Sequence, residues 1–571
     1  MTDKPWLQLY PKEIPATLSY EPIPVQAYLT RTAEEYSDKT AIQFMGKKMT
    51  FQQVYESALK FAGYLRKIGV NKGDRVAIML PNSPQSVIGY FGALYAGGVV
   101  VQTNPLYMER ELEYQMKDSG AKVIFTLDTL YPRVMKIKDK TDIEHVIVTT
   151  MEEYLPFPKN IVYSQKQKKQ TGLLVNVQHK GNNHLFEIIM KNEMAFEIKE
   201  DFDFEEDLAL LQYTGGTTGL SKGVMLTHKN LVANASMSAA WLYKCRKGEE
   251  SVLALLPFFH VYGMTAVMIL SIMQAYKMII LPKFDVKTTL KTIQKERPTL
   301  FPGAPTMYIG LLNHPDIDKY DLSSIKCCIS GSAPLPLEVQ QTFEKVTGGK
   351  LVEGYGLSES SPVTHANFLW EKRIAGSIGV PWPDTDAAIV SLETGDPLPP
   401  HEIGELAVKG PQVMKGYWNR PEETEEALRD GWLLTGDIGY MDEEGYFYIV
   451  DRKKDIIIAG GYNIYPREVE EVLYEHKAVQ ETVVAGVPDS YRGETVKAYV
   501  VLKKGASVTE KELDAFVRKH LAAYKVPRIY EFREHLPKTA MGKILRRTLI
   551  DEEKEKEKLA KGDKTEYDKN I

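Results

Sequence analysis

The stretch LALLQYTGGTTGLSKGV, from Leu208 to Val224, constrains the chain most: an apolar run empties into a glycine/threonine loop closed by Lys222, and an apolar run follows. Glycines let backbone N–H groups approach an anion closely, and Thr214, Thr217, Thr218 and Lys222 add hydroxyl donors and a positive charge. Such a loop suits polyphosphate. It departs from the P-loop NTPase pattern, because Ser221 stands where that pattern needs glycine and Gly223 where it needs Ser or Thr. It is not a GxGxxG turn either. Taken alone, a flexible turn between two strands remains the competing reading.

The 571 residues exceed one ordinary core, so more than one domain is expected. The net charge of −5 is small for this length and argues against nucleic acid as the main partner, since such proteins usually carry a basic face, while a local basic patch stays open. The three cysteines, Cys245, Cys327 and Cys328, have neither zinc-ligand spacing nor a paired framework, which fits a reducing cytoplasm. The amino-terminal residues are polar and proline-broken where a secretory signal is continuously apolar. From Val252 to Leu281 the chain is largely apolar, but Pro257, His260, Gly263, Gln274 and Lys277 interrupt it, so buried strands and a helix are expected there. Peripheral contact with a membrane stays open.

Val54, Ala58, Phe61, Leu65 and Ile68 recur at helical spacing and predict an amphipathic helix over Phe51 to Ile68. Short β-type runs then alternate with helical patterns through KVIFTL and HVIVTT, as in a layered α/β domain with a largely parallel sheet. Residues 156–200 are polar, with Lys166, Lys168 and Lys169 crowded together, and read as an exposed insertion. Further apolar runs, VLALLP, MIIL and CCISGSAPL, each end in Pro, Leu or small residues. Strands of this kind deliver loops to one sheet edge, where ligands of open α/β sheets bind. After DRKKDIIIAGG comes a compact α+β pattern, with helices expected over Pro466 to Tyr474 and Thr509 to Leu521. Residues 549–571 are charged and expected to be disordered.

Three more segments join the loop: EGYGLSES from Glu353, DGWLLTGDIGYMDEEGYFYIVDRKKD from Asp430, and LPKTAMGKILRR from Leu536. With YTGGTTGLSKG they resemble the adenylate-forming superfamily of acyl-CoA synthetases, adenylation domains and luciferases, in order and over nearly the whole chain. The long segment from Asp430 resembles the signature of fatty-acyl-CoA synthetases, and TNPLYMERELEYQMKDSGAK from Thr103 is similar to bacterial long-chain enzymes. The resemblance implies an α/β fold with a large N-terminal AMP-binding domain of several subdomains, residues 1–451, and a small mobile α+β domain, 452–548. It implies a long-chain fatty acid:CoA ligase, making acyl-adenylate and pyrophosphate from acid and ATP, then acyl-CoA and AMP. Competing readings are a medium-chain or aryl acid:CoA ligase and a non-catalytic fatty-acid binding or uptake protein of the same fold; a P-loop ATPase would release ADP instead. The implied partners are fatty acid, ATP and CoA, with Mg²⁺ as cofactor and a homodimer left open.

Residue roles follow from the same resemblance. Tyr213, Thr214, Gly215, Gly216, Thr217, Thr218, Gly219 and Lys222 hold the β- and γ-phosphates. Thr217 and Glu359 are the Mg²⁺ ligands, suiting a hard cation that takes oxygen donors. Gly331, Ser332, Ala333 and Pro334 form the adenine slot with Gly354 and Tyr355, the ring of Tyr355 stacking on the base, and Glu353, Gly356 and Ser358 join the ATP- and AMP-binding set. Asp437 accepts from the ribose hydroxyls, and Arg452 supports ribose or phosphate or makes an interdomain ion pair. Lys543 bridges the attacking carboxylate and the α-phosphate. His260 positions the substrate or is a hydrogen-bonded core histidine. Lys454 is the hinge, and Gly460 and Gly461 let backbone pass close to the pantetheine arm of CoA. Ser221, Ser358 and Ser360 replace residues common in relatives but stay small.

Overall fold

The computed structural model describes residues 4–163, 178–195, 201–214, 221–459, 462–489, 492–539 and 544–567, with side chains of 462, 463 and 557–567 left aside. Among the described residues five sheets carry the fold. The largest has eight strands, in the order 416–417, 222–227, 208–214, 99–102, 75–79, 123–127, 145–149 and 183–185. From Leu208–Thr214 outward to the 183–185 edge its pairs are parallel. Its central strands are buried along their whole length, as continuous Val/Ile runs require when both faces of a sheet are covered.

The expected amphipathic helix is Phe51–Lys67, started by a capping box between Thr50 and Gln53. It lies against the helix Pro84–Tyr95, and the two approach so closely that a Cβ at Gly92 would stand 2.7 Å from the Phe61 ring. A smaller residue does not exist for that crossing. The apolar stretch over 252–281 resolves into the strand Ser251–Ala254, helical segments over 261–273 and the strand Lys277–Ile280. Its middle part, Met264–Ile269, is wound as a π-helix. Among the described residues no helix is long and apolar enough to cross a membrane.

The strands Cys327–Ser330 and Lys350–Gly356 pair in parallel and end together, and Val363–Ala366 returns antiparallel beside them. A separate antiparallel sheet contains Gly404–Lys409, Trp432–Met441 and Phe447–Arg452. Past Arg452 the single turn Lys453–Asp455 leads into a last sheet of 457–459, 462–464, 479–489, 493–502 and 529–532. The helices Pro466–Tyr474 and Glu510–Val517 cover it, the second ending four residues before the expected Leu521. A large α/β body and a small α+β unit are thus both present.

Two expectations are corrected. Within residues 156–200, the described part is not wholly an exposed insertion: Asn183–Leu185 forms the edge strand of the large sheet, and Phe186 and Ile189 of the helix Phe186–Asn192 are buried. Polar composition hid two apolar anchors that are enough to seat the segment. Residues 164–177, including the crowded lysines, and 196–200 lie outside the described residues. Likewise the charged tail is not structureless from residue 549, since the helix Arg546–Tyr567 runs through it. Leu549 is buried against Val483, Ala485 and Tyr499, and Glu553 pairs with the buried Lys497 at 2.9 Å. Those contacts hold a sequence too polar to make a core alone.

Candidate active site

The site grows from the two parallel strands that end side by side, Cys327–Ser330 and Lys350–Gly356, with Ser330 opposite Glu353. Beyond them the turn Gly331–Pro334 faces the segment 354–356. A Cβ at Gly331 would stand 2.9 Å from the Tyr262 ring and one at Gly354, within the strand, 2.7 Å from Ile329, so a side chain at either position would press on its neighbour. Ser332 adopts a left-handed φ of 71°, leaving it exposed at the tip of the turn. The Glu353 carboxylate is buried beneath this turn and accepts the Leu335 N–H at 3.0 Å. Burial pushes Glu353 up to about 7, against the opposing pull of Arg467 from the small unit.

Tyr355 points its hydroxyl at Asp437 of the neighbouring sheet, donating to Oδ2 at 2.5 Å. Asp437 is buried and in register with Arg452 on the adjoining strand, whose Nε reaches Oδ1 at 2.9 Å. Each carboxylate oxygen keeps a lone pair for a further donor such as a ribose hydroxyl. Burial and the Asp437 charge hold the Tyr355 phenol well above its ordinary range, so it stays a donor. The adjacent Gly436 N–H binds Glu405 Oε1 at 2.9 Å, while Lys453 of the connecting turn binds Oε2 at 2.8 Å.

The strands Leu208–Thr214 and Lys222–Thr227 form an antiparallel hairpin with Thr214 opposite Lys222. Its loop, with Gly215, Gly216, Thr217, Thr218 and Gly219, lies outside the described residues, as do Gly460, Gly461 and Lys543. Tyr213, assigned to the phosphate grip, instead commits its hydroxyl to Asp118 at 2.7 Å, and Arg420 takes the other oxygen of that carboxylate at 2.8 Å. Its side chain therefore braces the hairpin base. Lys222 sits 4.9 Å from the centre of the Tyr417 ring, and Tyr417 donates to Glu359 Oε1 at 2.8 Å. Glu359 and Lys222 thus meet around one aromatic ring. Ser358 opens the short turn that carries Glu359. Among the described residues no group of three or more His, Cys, Asp or Glu could hold a metal alone.

His260 caps the start of the segment Val261–Gly263, its Nδ1 accepting the Tyr262 N–H at 3.3 Å. Behind Tyr262 runs a narrow apolar cavity of about 40 Å³, lined by residues including Leu242, Val252, Ile329 and Trp382. A surface cleft of about 390 Å³ between Glu109–Ser119 and Tyr131–Lys138 is lined by paired charges such as Lys136 and Glu109, and holds none of the residues above.

Residues 29–418 match the family model described as AMP-binding enzyme, and residues 468–543 match that of the AMP-binding enzyme C-terminal domain. The chain belongs to the AMP-binding enzyme family. It is 62% identical to a long-chain-fatty-acid–CoA ligase of Bacillus subtilis, over 97% of this chain and 99% of that one. It is 41% identical to the enzyme of the same description from Escherichia coli, over 96% and 98%. Among solved structures, ATP-bound MatB from Rhodopseudomonas palustris aligns with a TM-score of 0.81 at 30% identity, covering 93% of this chain and 99% of that one. A Mycobacterium tuberculosis fatty acyl CoA synthetase aligns at 0.70 and 29%, over 93% and 98%.

Several residues of this AMP-binding enzyme's site escape a sequence reading. Tyr417, Glu405 and Asp118 have no periodicity or spacing that ties them to Glu359, Gly436 or Tyr213: Glu405 reaches Gly436 from the neighbouring strand of one sheet, Asp118 reaches Tyr213 from the helix Glu109–Ser119, and Tyr417 reaches Glu359 from the edge of the large sheet. The run KGYWNRP held the one usable hint, aromatic residues between glycine and arginine close to a strand end.

Proposed function

We infer that the chain is an AMP-forming long-chain fatty acid:CoA ligase. The observation that carries this is the 62% identity, along both full lengths, to a ligase of that description. The site's geometry supports it: Tyr355, Asp437 and Arg452 gather donors and acceptors where two sheets meet, and an apolar cavity lies behind Tyr262. At about 40 Å³ that cavity exceeds one water's share of liquid only slightly. An acyl chain must therefore open it. The wall bearing Ala266 and Leu270 belongs to or adjoins the π-wound segment, a winding that is easily altered.

In the first step a carboxylate attacks the α-phosphate, so two anions meet and negative charge grows on phosphorus. Cations and oriented N–H groups must offset that charge. Asp437 and Arg452 hold the ribose side, Tyr355 and the Gly331–Pro334 turn hold the base, and Lys222 faces the leaving pyrophosphate. Lys543 approaches from the small unit as the catalytic cation. Glu359, with one oxygen on Tyr417 and the other available, suits a Mg²⁺ held by one or two carboxylates or hydroxyls plus substrate phosphates. Bound there, that ion would neutralise phosphate charge. The second step needs the CoA thiol where Lys543 stood. Rotation of residues 452–548 about Lys454, in the exposed turn after Arg452, exchanges them.

Pyrophosphate exchange into ATP, followed with and without added fatty acid, tests the first step. Exchange that requires a long-chain acid and needs no CoA is expected; exchange indifferent to acid would overturn the assignment.

A further inference from the structure

Cys245 and Cys327 lie 82 positions apart in sequence, yet their Sγ atoms are 4.0 Å apart. Cys245 occupies the turn after the helix His228–Trp241 and is half-buried, so a small oxidant has a path to it. Cys327 opens the strand Cys327–Ser330 and is buried. The next residue, Cys328, is also buried, but side chains alternate along a strand, and its sulfur interacts with Tyr308 on the other face. Cys245 therefore has one thiol partner, not two. None of the three is in a disulfide.

Position gives this pair a consequence. Cys327 lines the apolar cavity, and so does Leu242, three residues before Cys245 and hydrogen-bonded to it through its carbonyl at 2.7 Å. The strand that Cys327 opens ends at the Gly331–Pro334 turn of the nucleotide site. We propose that Cys245 and Cys327 form a redox modification site at which a hydroperoxide closes a disulfide across the wall of the acyl cavity. The functional half of this rests on the cavity being the acyl site, as read above.

The chemistry balances in two steps. The Cys245 sulfur attacks the peroxide O–O bond, giving a sulfenic acid and releasing the other oxygen as alcohol, or as water from hydrogen peroxide. The Cys327 sulfur then attacks the sulfenic sulfur, forming the S–S bond, and its proton leaves with the hydroxyl as water. The two sulfurs together lose two electrons, and the peroxide gains them. Joining them requires the 4.0 Å separation to fall to about 2.05 Å. A turn residue moves more readily than a residue in a paired strand, so the turn carrying Cys245 is drawn inward with Leu242. In a reducing compartment such a bond is a reversible mark rather than a structural staple.

The test treats the full-length enzyme with hydrogen peroxide, maps peptides without reduction by mass spectrometry, and assays ligation of a long-chain acid before and after dithiothreitol. Expected are a crosslinked Cys245–Cys327 peptide lighter by two hydrogens and a several-fold loss of ligation, both reversed by dithiothreitol. Cys245→Ser should ligate as the parent does and resist peroxide. A peroxide-treated enzyme with no such peptide would overturn the proposal, as would a crosslink that leaves ligation unchanged or an equal loss in Cys245→Ser. Mapping needs no turnover, so a chain that failed to ligate any acid would still reveal whether the disulfide forms.

Discussion

The hydroxyl of Tyr355 meets the buried carboxylate of Asp437 at 2.5 Å, joining the strand Lys350–Gly356 to the strand Trp432–Met441 of a different sheet. One hydrogen bond thus sets the distance between Tyr355 and Asp437, the groups proposed to hold the base and the ribose. Tyr355→Phe removes the donor and leaves a buried charge with one partner fewer. A hydrogen bond to a charged group contributes about 1.5 kcal/mol or more, so KM for ATP should rise roughly tenfold. Steady-state kinetics at saturating acid measure it. An unchanged KM would mean that Asp437 is held well enough by Arg452 alone.

Stability should depend on pH through Glu353. Its ordinary value of 4.5 is raised to about 7 by burial, so the folded chain holds this proton more tightly than the unfolded chain. As pH rises from 4.5 to about 7 the folded state loses stability, and the loss persists above that range. Glu353→Gln keeps an oxygen for the Leu335 N–H while removing the titration. Denaturant melts at about pH 5 and about pH 8 should therefore differ less for the variant than for the parent. Equal pH dependence in both would place the effect elsewhere, Asp451 being the next candidate, raised by burial to about 6.

Arg546 gathers three carboxylates around the connecting turn: Glu470 at 2.7 Å, Asp455 in close contact, and Asp451 at 3.6 Å. Asp451 in turn accepts the Arg467 N–H of the helix Pro466–Tyr474 at 2.7 Å. Arg546→Met leaves mostly buried carboxylates without their cation, which costs about 3 kcal/mol when one partner of such a network is removed. Thermal melting should show an early transition confined to the small unit. A single transition at the parent temperature would show the carboxylates to be served by solvent.

These cases mark what the sequence made legible. The parallel sheet, the helix over Phe51–Lys67, the helix Pro466–Tyr474 and the short strands around the site were readable, because Val/Ile runs and helical spacing are local signals. Glu359, Asp437 and Tyr355 were singled out only as members of ordered motifs, and their roles are proposals. Their partners were not singled out. Tyr417 reaches Glu359 across 58 positions from the edge strand of another sheet, and Glu405 reaches Lys453 across 48 from within the sheet whose last strand leads into that turn, so neither contact is written in local spacing. Tyr213 was assigned to the phosphate grip because it adjoins the loop; its side chain follows strand alternation toward Asp118. The tail misled because charge outweighs the two apolar residues, Leu549 and Ile550, that dock it.

Two variants should separate the half-reactions. Lys543→Ala should cripple adenylate formation yet largely spare thioester formation from supplied acyl-adenylate. Lys454→Pro should do the opposite, since it restricts the turn about which residues 452–548 would rotate. Single-turnover assays of each half-reaction read both. Equal losses in the two steps for Lys543→Ala would remove its assigned role, and an unaltered thioesterification rate for Lys454→Pro would remove the hinge.

The most direct test supplies the purified enzyme with ATP, CoA and a mixed pool of fatty acids, and identifies the nucleotide and every acyl-CoA formed. AMP should form in step with acyl-CoA, with a product profile dominated by long-chain acids. ADP as product, no acid-dependent AMP, or a profile led by medium-chain or aryl acids would contradict a long-chain acid:CoA ligase.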